Sequence, residues 1–373
     1  MTSLSGATLN NSPIVVVGVG ALGSEICRQL AEKKYTHVLI LDPDQLEEHN
    51  VRCSLIYQDV VLRKGRRAFN NLKVNLLLDE IYRRYALGWS GLAEEIADVG
   101  LGFLANTKLI ISCTDSALAR VETARVARVL GIPMVDGGVM GEGILEGRAA
   151  WFATNREAAC YLCGISEKRR AEILSYAASA SLGCHAGEEF PSMTGSLNAL
   201  HKTAKTMLSF IQQWQTATAS FEHSFAMRLH SDTAEEWSQL HLNLPRSATC
   251  PWHDGDSSNW RSIQENRPLH EAFTKKELCL QLLWPQCLIA QCYRCGTRSE
   301  PLRRVTWVRR KAVCKGCGAK GSCEPIEVID ALSSTDARTR LTPQQLGLPK
   351  QHLYSFRRSF VPLQRRIFDE SAP

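Results

Sequence analysis

Four apolar residues, Ile14-Val15-Val16-Val17, run directly into Gly18-Val19-Gly20-Ala21-Leu22-Gly23-Ser24. A short unbroken β-branched run suits a strand buried on both faces, as in a parallel sheet. Three glycines at this spacing permit a tight turn and a close backbone approach, and apolar residues at helical spacing follow through Ala31. The N–H groups that open such a helix are suited to phosphate. A second strand, Val38-Leu39-Ile40-Leu41, ends on Asp42. A carboxylate about 20 residues beyond the glycines can accept hydrogen bonds from both ribose hydroxyls. The N-terminal half is therefore expected to be an α/β arrangement that binds a nucleotide.

Glycine spacing alone does not say which nucleotide. A dehydrogenase would add a hydride-transfer site, whereas the residues after Asp42 suit a triphosphate. Arg52 and Lys64 can pair with phosphate oxygens, arginine as a fork and lysine as a point charge. A third strand, Leu109-Ile110-Ile111-Ser112, delivers Cys113-Thr114-Asp115 to the carboxyl edge of the sheet, where open α/β folds bind ligands. A carboxylate there can hold Mg²⁺ beside phosphates. Taken singly, Arg52 and Lys64 read as solvated surface charges; in this order and company they read as one site.

This succession resembles the ThiF/MoeB family and the ubiquitin-activating enzymes. Their pattern runs Gly-x-Gly-x-x-Gly, Asp-x-Asp, Asn-Leu-x-Arg, Asp-Val-Gly-x-x-Lys-Ala and Cys-Thr-Asp. The chain supplies Gly18, Gly20 and Gly23, then Asp42 and Asp44, then Asn50-Val51-Arg52, then Asp59 to Gly65 with Lys64, then Cys113-Thr114-Asp115. It departs from the pattern where Asn50 and Arg52 stand one residue closer, where Val61 replaces a glycine, and where residues 1–13 hold no Arg or Lys. The resemblance covers residues 12–255 and implies a Rossmann-like adenylation domain with a mostly parallel sheet. By that resemblance Asp42 holds the ribose of ATP, Asn50, Arg52 and Lys64 its phosphates, and Asp115 Mg²⁺. The implied substrate is the C-terminal glycine of a ubiquitin-like or sulfur-carrier protein, and the implied assembly a homodimer.

Fourteen cysteines and a polar stretch from Met1 to Ser12 point to thiols kept for metal and chemistry in a reducing compartment, the cytoplasm. Cys160-Tyr161-Leu162-Cys163 and Cys250-Pro251-Trp252-His253 are two knuckles able to share one zinc ion. The resembling family carries paired cysteines at both places, commonly with Cys where His253 stands. Cys292, Cys295, Cys314 and Cys317 form two Cys-x-x-Cys-Gly knuckles around a basic hairpin, a zinc-ribbon pattern. Two closed, non-catalytic Zn²⁺ sites per chain are expected. The ribbon module is placed at 271–330, with Val305-Thr306-Trp307-Val308 alternating as a strand, and 331–373 reads as a basic tail with helical pieces.

Among the remaining cysteines, Cys184 stands apart in a glycine-punctuated loop, Ser181 to Gly187, before Thr194-Gly195 and a core helix over 196–215. In the resembling family a cysteine so placed accepts the activated acyl group, after a crossover segment read here at 166–181. The preferred reading is adenylation followed by a thioester on Cys184, with a conjugating enzyme next. One alternative is sulfur-carrier activation for thiamine or molybdopterin synthesis. Another is a nucleic-acid-binding regulator with a degenerate nucleotide site, using the ribbon and a net charge of +6 concentrated late in the chain. A solvated face is the preferred reading of that charge, so no nucleic-acid partner is expected, and no apolar run suggests a membrane one.

Overall fold

The computed structural model describes residues 13–140, 144–155, 157–170, 173, 196–216, 221–233, 235–250, 252–253 and 259–357. In chain order the first elements are β1 (Ile14–Val17), α1 (Ala21–Glu32), β2 (Val38–Leu41), α2 (Glu48–Arg52), α3 (Leu55–Lys64), α4 (Lys73–Tyr85), β3 (Ser90–Leu92) and α5 (Leu101–Leu104). There follow β4 (Leu109–Ser112), α6 (Ala117–Leu130), β5 (Met134–Val139), β6 (Glu146–Phe152), α7 (Leu197–Thr216), β7 (Phe225–His230) and β8 (Ser238–Asn243). The last are β9 (Asn259–Ser262), β10 (Cys279–Cys292), β11 (Arg298–Ser299), β12 (Arg303–Arg304), α8 (Val305–Lys311), β13 (Cys323–Ser333) and β14 (Leu353–Arg357). The described residues form two compact units, one within 1–96, 106–165 and 189–250, the other within 97–105, 166–188 and 251–373.

The first unit is an eight-stranded sheet in the order β3-β2-β1-β4-β5-β6-β7-β8. Its first five strands are parallel and the last three antiparallel. Strand β1 lies at the centre of the parallel half, with Ile14 opposite both Val38 and Leu109. Its four side chains are all buried, because helices cover both faces. Successive residues of β5 show which helices these are: Gly137 packs against Met207 of α7 and Leu22 of α1, and Gly138 against Arg120 of α6. A Cβ on Gly137 would lie 2.3 Å from the Met207 sulfur, so only glycine lets α7 approach this strand.

Of the stripe that sequence spacing predicts on helix α7, Leu200, Ala204, Met207, Leu208 and Ile211 are buried, whereas Leu197 at the helix start is exposed. Helix α6 is bounded by a Ser116 N-cap and by Gly131, whose φ of 64° a side chain would strain. Strand β6 pairs antiparallel with β5, and Trp151 of β6 packs edge-on against Phe221 at 4.8 Å.

The second unit is built on the long antiparallel pair β10–β13, bent by bulges, with β14 and β9 alongside. Two expectations need correction there. Val305–Lys311 is a helix, not an alternating strand, because Val305, Val308 and Ala312 fall at helical spacing and pack on the buried cysteines of the ribbon. Residues 353–357, within the expected tail, form β14, whose Ser355, Phe356 and Arg357 pair with Gln281, Leu280 and Cys279. A buried fork from Arg304 to Asp98, at 2.6 and 2.9 Å, anchors residues 97–105 in this unit. Among the described residues no helix is long and apolar enough to cross a membrane.

Candidate functional site

The glycine loop closes over the end of β1. Gly18 takes φ of 83° and donates its N–H to the Leu41 carbonyl at 2.8 Å. Gly23 lies so close to Gly18 that a Cβ would meet its carbonyl oxygen at 1.9 Å, which fixes α1 against the strand. Gly20 differs: among the described residues a Cβ there would meet nothing within 4 Å, at a helix start with no side-chain cap. Such a terminus leaves N–H groups for an anion.

Asp42 sits beneath this loop. Its Oδ2 accepts the Val19 N–H at 2.7 Å and its Oδ1 the Asp44 N–H at 2.9 Å. Burial pushes its pKa up, and the ammonium of Lys73 pulls it down. The loop is braced from the other side by Tyr57, whose hydroxyl donates to the Val19 carbonyl at 2.7 Å, and by Ser24 and Ser54, whose hydroxyls lie 2.7 Å apart.

Strand β4 brings the third element. The Cys113 N–H bonds the Val17 carbonyl at 2.8 Å, and the following Asp115 is exposed in the turn before α6. The Cys113 thiol is buried, and burial pushes its pKa well up, which removes it as a nucleophile. Glycine loop, Asp42 and Asp115 thus stand at the carboxyl ends of β1, β2 and β4, three adjacent strands.

The cations divide differently from their order in the sequence. Lys64, at the end of α3, pairs with Asp79 of α4 at 3.1 Å. Arg52 is exposed at the end of α2, and Asn50 closes a capping box with Glu47. Lys73, which sequence reasoning missed, is buried at the first position of α4, with its ammonium 3.3 Å from Asp44 Oδ2. A signal was present: a lysine opening a helix opposes the helix dipole, so its placement calls for another partner. A second omission is Asp136 on β5, fully buried, which accepts from Ser112 at 2.9 Å, Arg120 at 2.5 Å and Arg148 at 2.6 Å.

Both cysteine sets converge. Cys160 Sγ lies 3.8 Å from Cys163 Sγ and 3.5 Å from Cys250 Sγ, and a ring nitrogen of His253 completes a group within 4.8 Å. In the ribbon, Cys292 and Cys317 are 3.7 Å apart and Cys295 and Cys314 3.5 Å. Thiolates around a tetrahedral zinc ion, each about 2.3 Å from it, stand about 3.8 Å from one another, so both donor sets fit Zn²⁺. Gly296 and Gly318, with φ of 74° and 71°, close the two ribbon knuckles. Cys184 lies outside the described residues. Among the described cysteines outside the two clusters, Cys27, Cys53, Cys113, Cys279, Cys287 and Cys323 are all buried. A cavity of about 530 Å³ between α7 and β7–β8 is lined by none of the residues of the glycine-loop site.

The chain is 26% identical over 162 residues to the NEDD8-activating enzyme E1 catalytic subunit of Schizosaccharomyces pombe, which covers 42% of this chain and 34% of that protein. It therefore spans about a third of the length of this relative. Crystal structures of E. coli MccB with ATP, and of the microcin C7 enzyme MccB with N-formylated MccA, align at a TM-score of 0.46 and 15% identity. They cover 65% of this chain and 66–67% of theirs. The ThiF family pattern matches residues 4–199, a span that contains the whole parallel sheet with its glycine loop, and the chain belongs to the ThiF family.

Proposed function

We propose that this protein adenylates the C-terminal glycine of a ubiquitin-like protein and then takes the acyl group on Cys184 as a thioester. The observation that carries the reading is Asp42: a buried carboxylate that holds the glycine loop in place, where among the described residues a Cβ on Gly20 would meet nothing within 4 Å. The loop N–H groups would receive the phosphates of ATP, and Asp42 the ribose. Lys73, bridged to Asp44, takes the phosphate-binding role that spacing assigned to Lys64, with Asn50 and Arg52 nearby in sequence. Asp115 would hold Mg²⁺, which supplies charge neutralisation at the phosphates.

The substrate carboxylate attacks the α-phosphorus, the bond from that phosphorus to its bridging oxygen breaks, and pyrophosphate leaves. The site's contribution is positioning and charge stabilisation. The Cys184 thiolate then attacks the acyl carbon and AMP departs with its phosphate oxygen, the thiol proton having passed to solvent. The buried state of the other described non-ligand cysteines supports this choice of acceptor. The reading includes a homodimer in the cytoplasm, a conjugating enzyme as the next acceptor, and two structural Zn²⁺ ions per chain. Asp115→Ala should abolish partner-dependent ATP–pyrophosphate exchange while leaving the thermal unfolding curve in place; undiminished exchange would remove Asp115 from the site.

A further inference from the structure

Residues 290–321 carry nine Lys or Arg and one Glu. The fold sorts them. Arg304 is buried against Asp98, and Arg309 pairs with Glu324. Arg294, Arg298, Lys315 and Lys320 are exposed, and among the described residues none of the four has an ion-pair partner.

The knuckles bring three of these charges to one tip. Cys295 and Cys314 have their sulfurs 3.5 Å apart, so their chain neighbours Arg294 and Lys315 flank one point. A bridge between Val313 and Lys320 holds the last lysine on the same turn. Four thiolates around one Zn²⁺ would carry two net negative charges, fewer than the three exposed cations Arg294, Lys315 and Lys320 beside them. Tyr293 precedes Arg294 on the first knuckle and is 58% exposed, an aromatic face presented to solvent within a cationic patch. An acidic protein segment would satisfy the cations and make no particular use of that ring. A polymer of phosphates and flat bases uses both.

We propose that the ribbon tip binds single-stranded nucleic acid, with backbone phosphates on Arg294, Lys315 and Lys320 and a base stacked on Tyr293. The binding is tolerant of sequence, because every base has a π-face and nothing at the tip reads base edges. It is independent of the adenylation reading and would stand if that reading failed.

The test is fluorescence anisotropy of the full-length, zinc-loaded protein with labelled oligo(dT) and oligo(U) across a salt series. Each phosphate contact contributes a slope of about −0.7 to the log–log salt dependence, so three predict about −2. The triple charge reversal Arg294→Glu, Lys315→Glu, Lys320→Glu should weaken binding at least about 30-fold and flatten that slope. Tyr293→Ala should weaken it about tenfold with the slope unchanged. Zinc content and circular dichroism equal to the parent's guard against misfolding, and a variant that fails them is replaced by the Arg294→Gln, Lys315→Gln pair. Absence of binding at low salt would overturn the proposal, as would binding that neither variant alters. Equal displacement by polyglutamate with no effect of Tyr293→Ala would also overturn it, in favour of an acidic protein partner.

Discussion

Asp42 Oδ2 accepts the backbone N–H of Val19 at 2.7 Å, which ties the acidic end of β2 to the glycine loop that follows β1. Sequence spacing gives each a ligand role, phosphate for the loop and ribose for the carboxylate, and does not show that they touch. In the fold they already meet, so the loop is set before any ligand arrives. Asp42→Ala would leave the Val19 and Asp44 N–H groups without their acceptor. An orphaned buried donor costs about 1–3 kcal/mol, so we expect a loss of about 2–4 kcal/mol in urea unfolding together with loss of ATP binding by calorimetry. An unchanged unfolding midpoint would show that the loop does not depend on Asp42.

Lys73 and Lys64 make a paired test. Lys73→Ala should lower the rate of pyrophosphate exchange about 100-fold, the usual cost of removing one charge-stabilising group from a phosphate site. It should cost less than about 1 kcal/mol of stability, because its partner Asp44 has a side chain 62% exposed. Lys64→Ala should leave exchange within about threefold, its ammonium being held in a solvent-facing pair with Asp79. The reverse ranking would return the role to Lys64.

Cys184→Ala should retain pyrophosphate exchange and lose the covalent complex with the partner protein. Adenylation needs positioned phosphate and carboxylate, whereas acyl transfer needs a thiolate. A surviving adduct in this variant would move the acceptor elsewhere. In the parent protein the link's chemistry separates conjugation from sulfur transfer: hydroxylamine cleaves a thioester that a phosphine reductant leaves intact, and the phosphine cleaves an acyl persulfide.

Metal analysis should return two zinc ions per chain, and Cys314→Ser should lower this to one. A strong chelator should expose the ribbon to proteolysis, since thiolate–zinc bonds contribute folding energy where the local apolar core is small. One zinc ion in the parent would mean that one of the two clusters is structural without metal.

Stability should fall in acid through His352. Its ring is buried in the second unit, where Nδ1 accepts the Leu101 N–H at 3.5 Å, and burial lowers its pKa to about 4. The unfolded chain takes up a proton near the ordinary value of about 6.5, while the folded state resists until about pH 4. The stability due to the neutral ring is therefore complete above pH 6.5 and is lost as pH falls from there to 4, by up to about 3 kcal/mol. His352→Gln should remove this part of the slope in denaturant unfolding at pH 7.5 and 4.5. Because both proteins carry the same cysteine clusters, their difference isolates the ring; parallel slopes would assign the acid loss elsewhere.

The parallel half of the first unit was legible in the chain because its signals are local. Ile14–Val17, the three glycines, the run ending on Asp42 and the run ending before Cys113 each declare a strand or turn within a few residues. The right-handed βα rule then sends their ends to one edge of the sheet. The four ribbon cysteines were equally plain, since metal chemistry demands its ligands at knuckle spacing.

What the tertiary structure alone decided is which distant groups meet. Lys73 reaches Asp44 across 29 positions, and Asp136 gathers Arg120 and Arg148 from a helix and a neighbouring strand. No local pattern distinguishes those cations from Lys64, which lies nearer the expected motif and is held by Asp79 instead. The helix at Val305–Lys311 shows the same limit. Four alternating residues fit a strand or a turn of helix equally well, and packing on the buried cysteines chose the helix. Propensity is worth tenths of a kcal/mol per residue, whereas burial of one valine is worth about 1.5 or more, so long-range packing prevails wherever the two disagree.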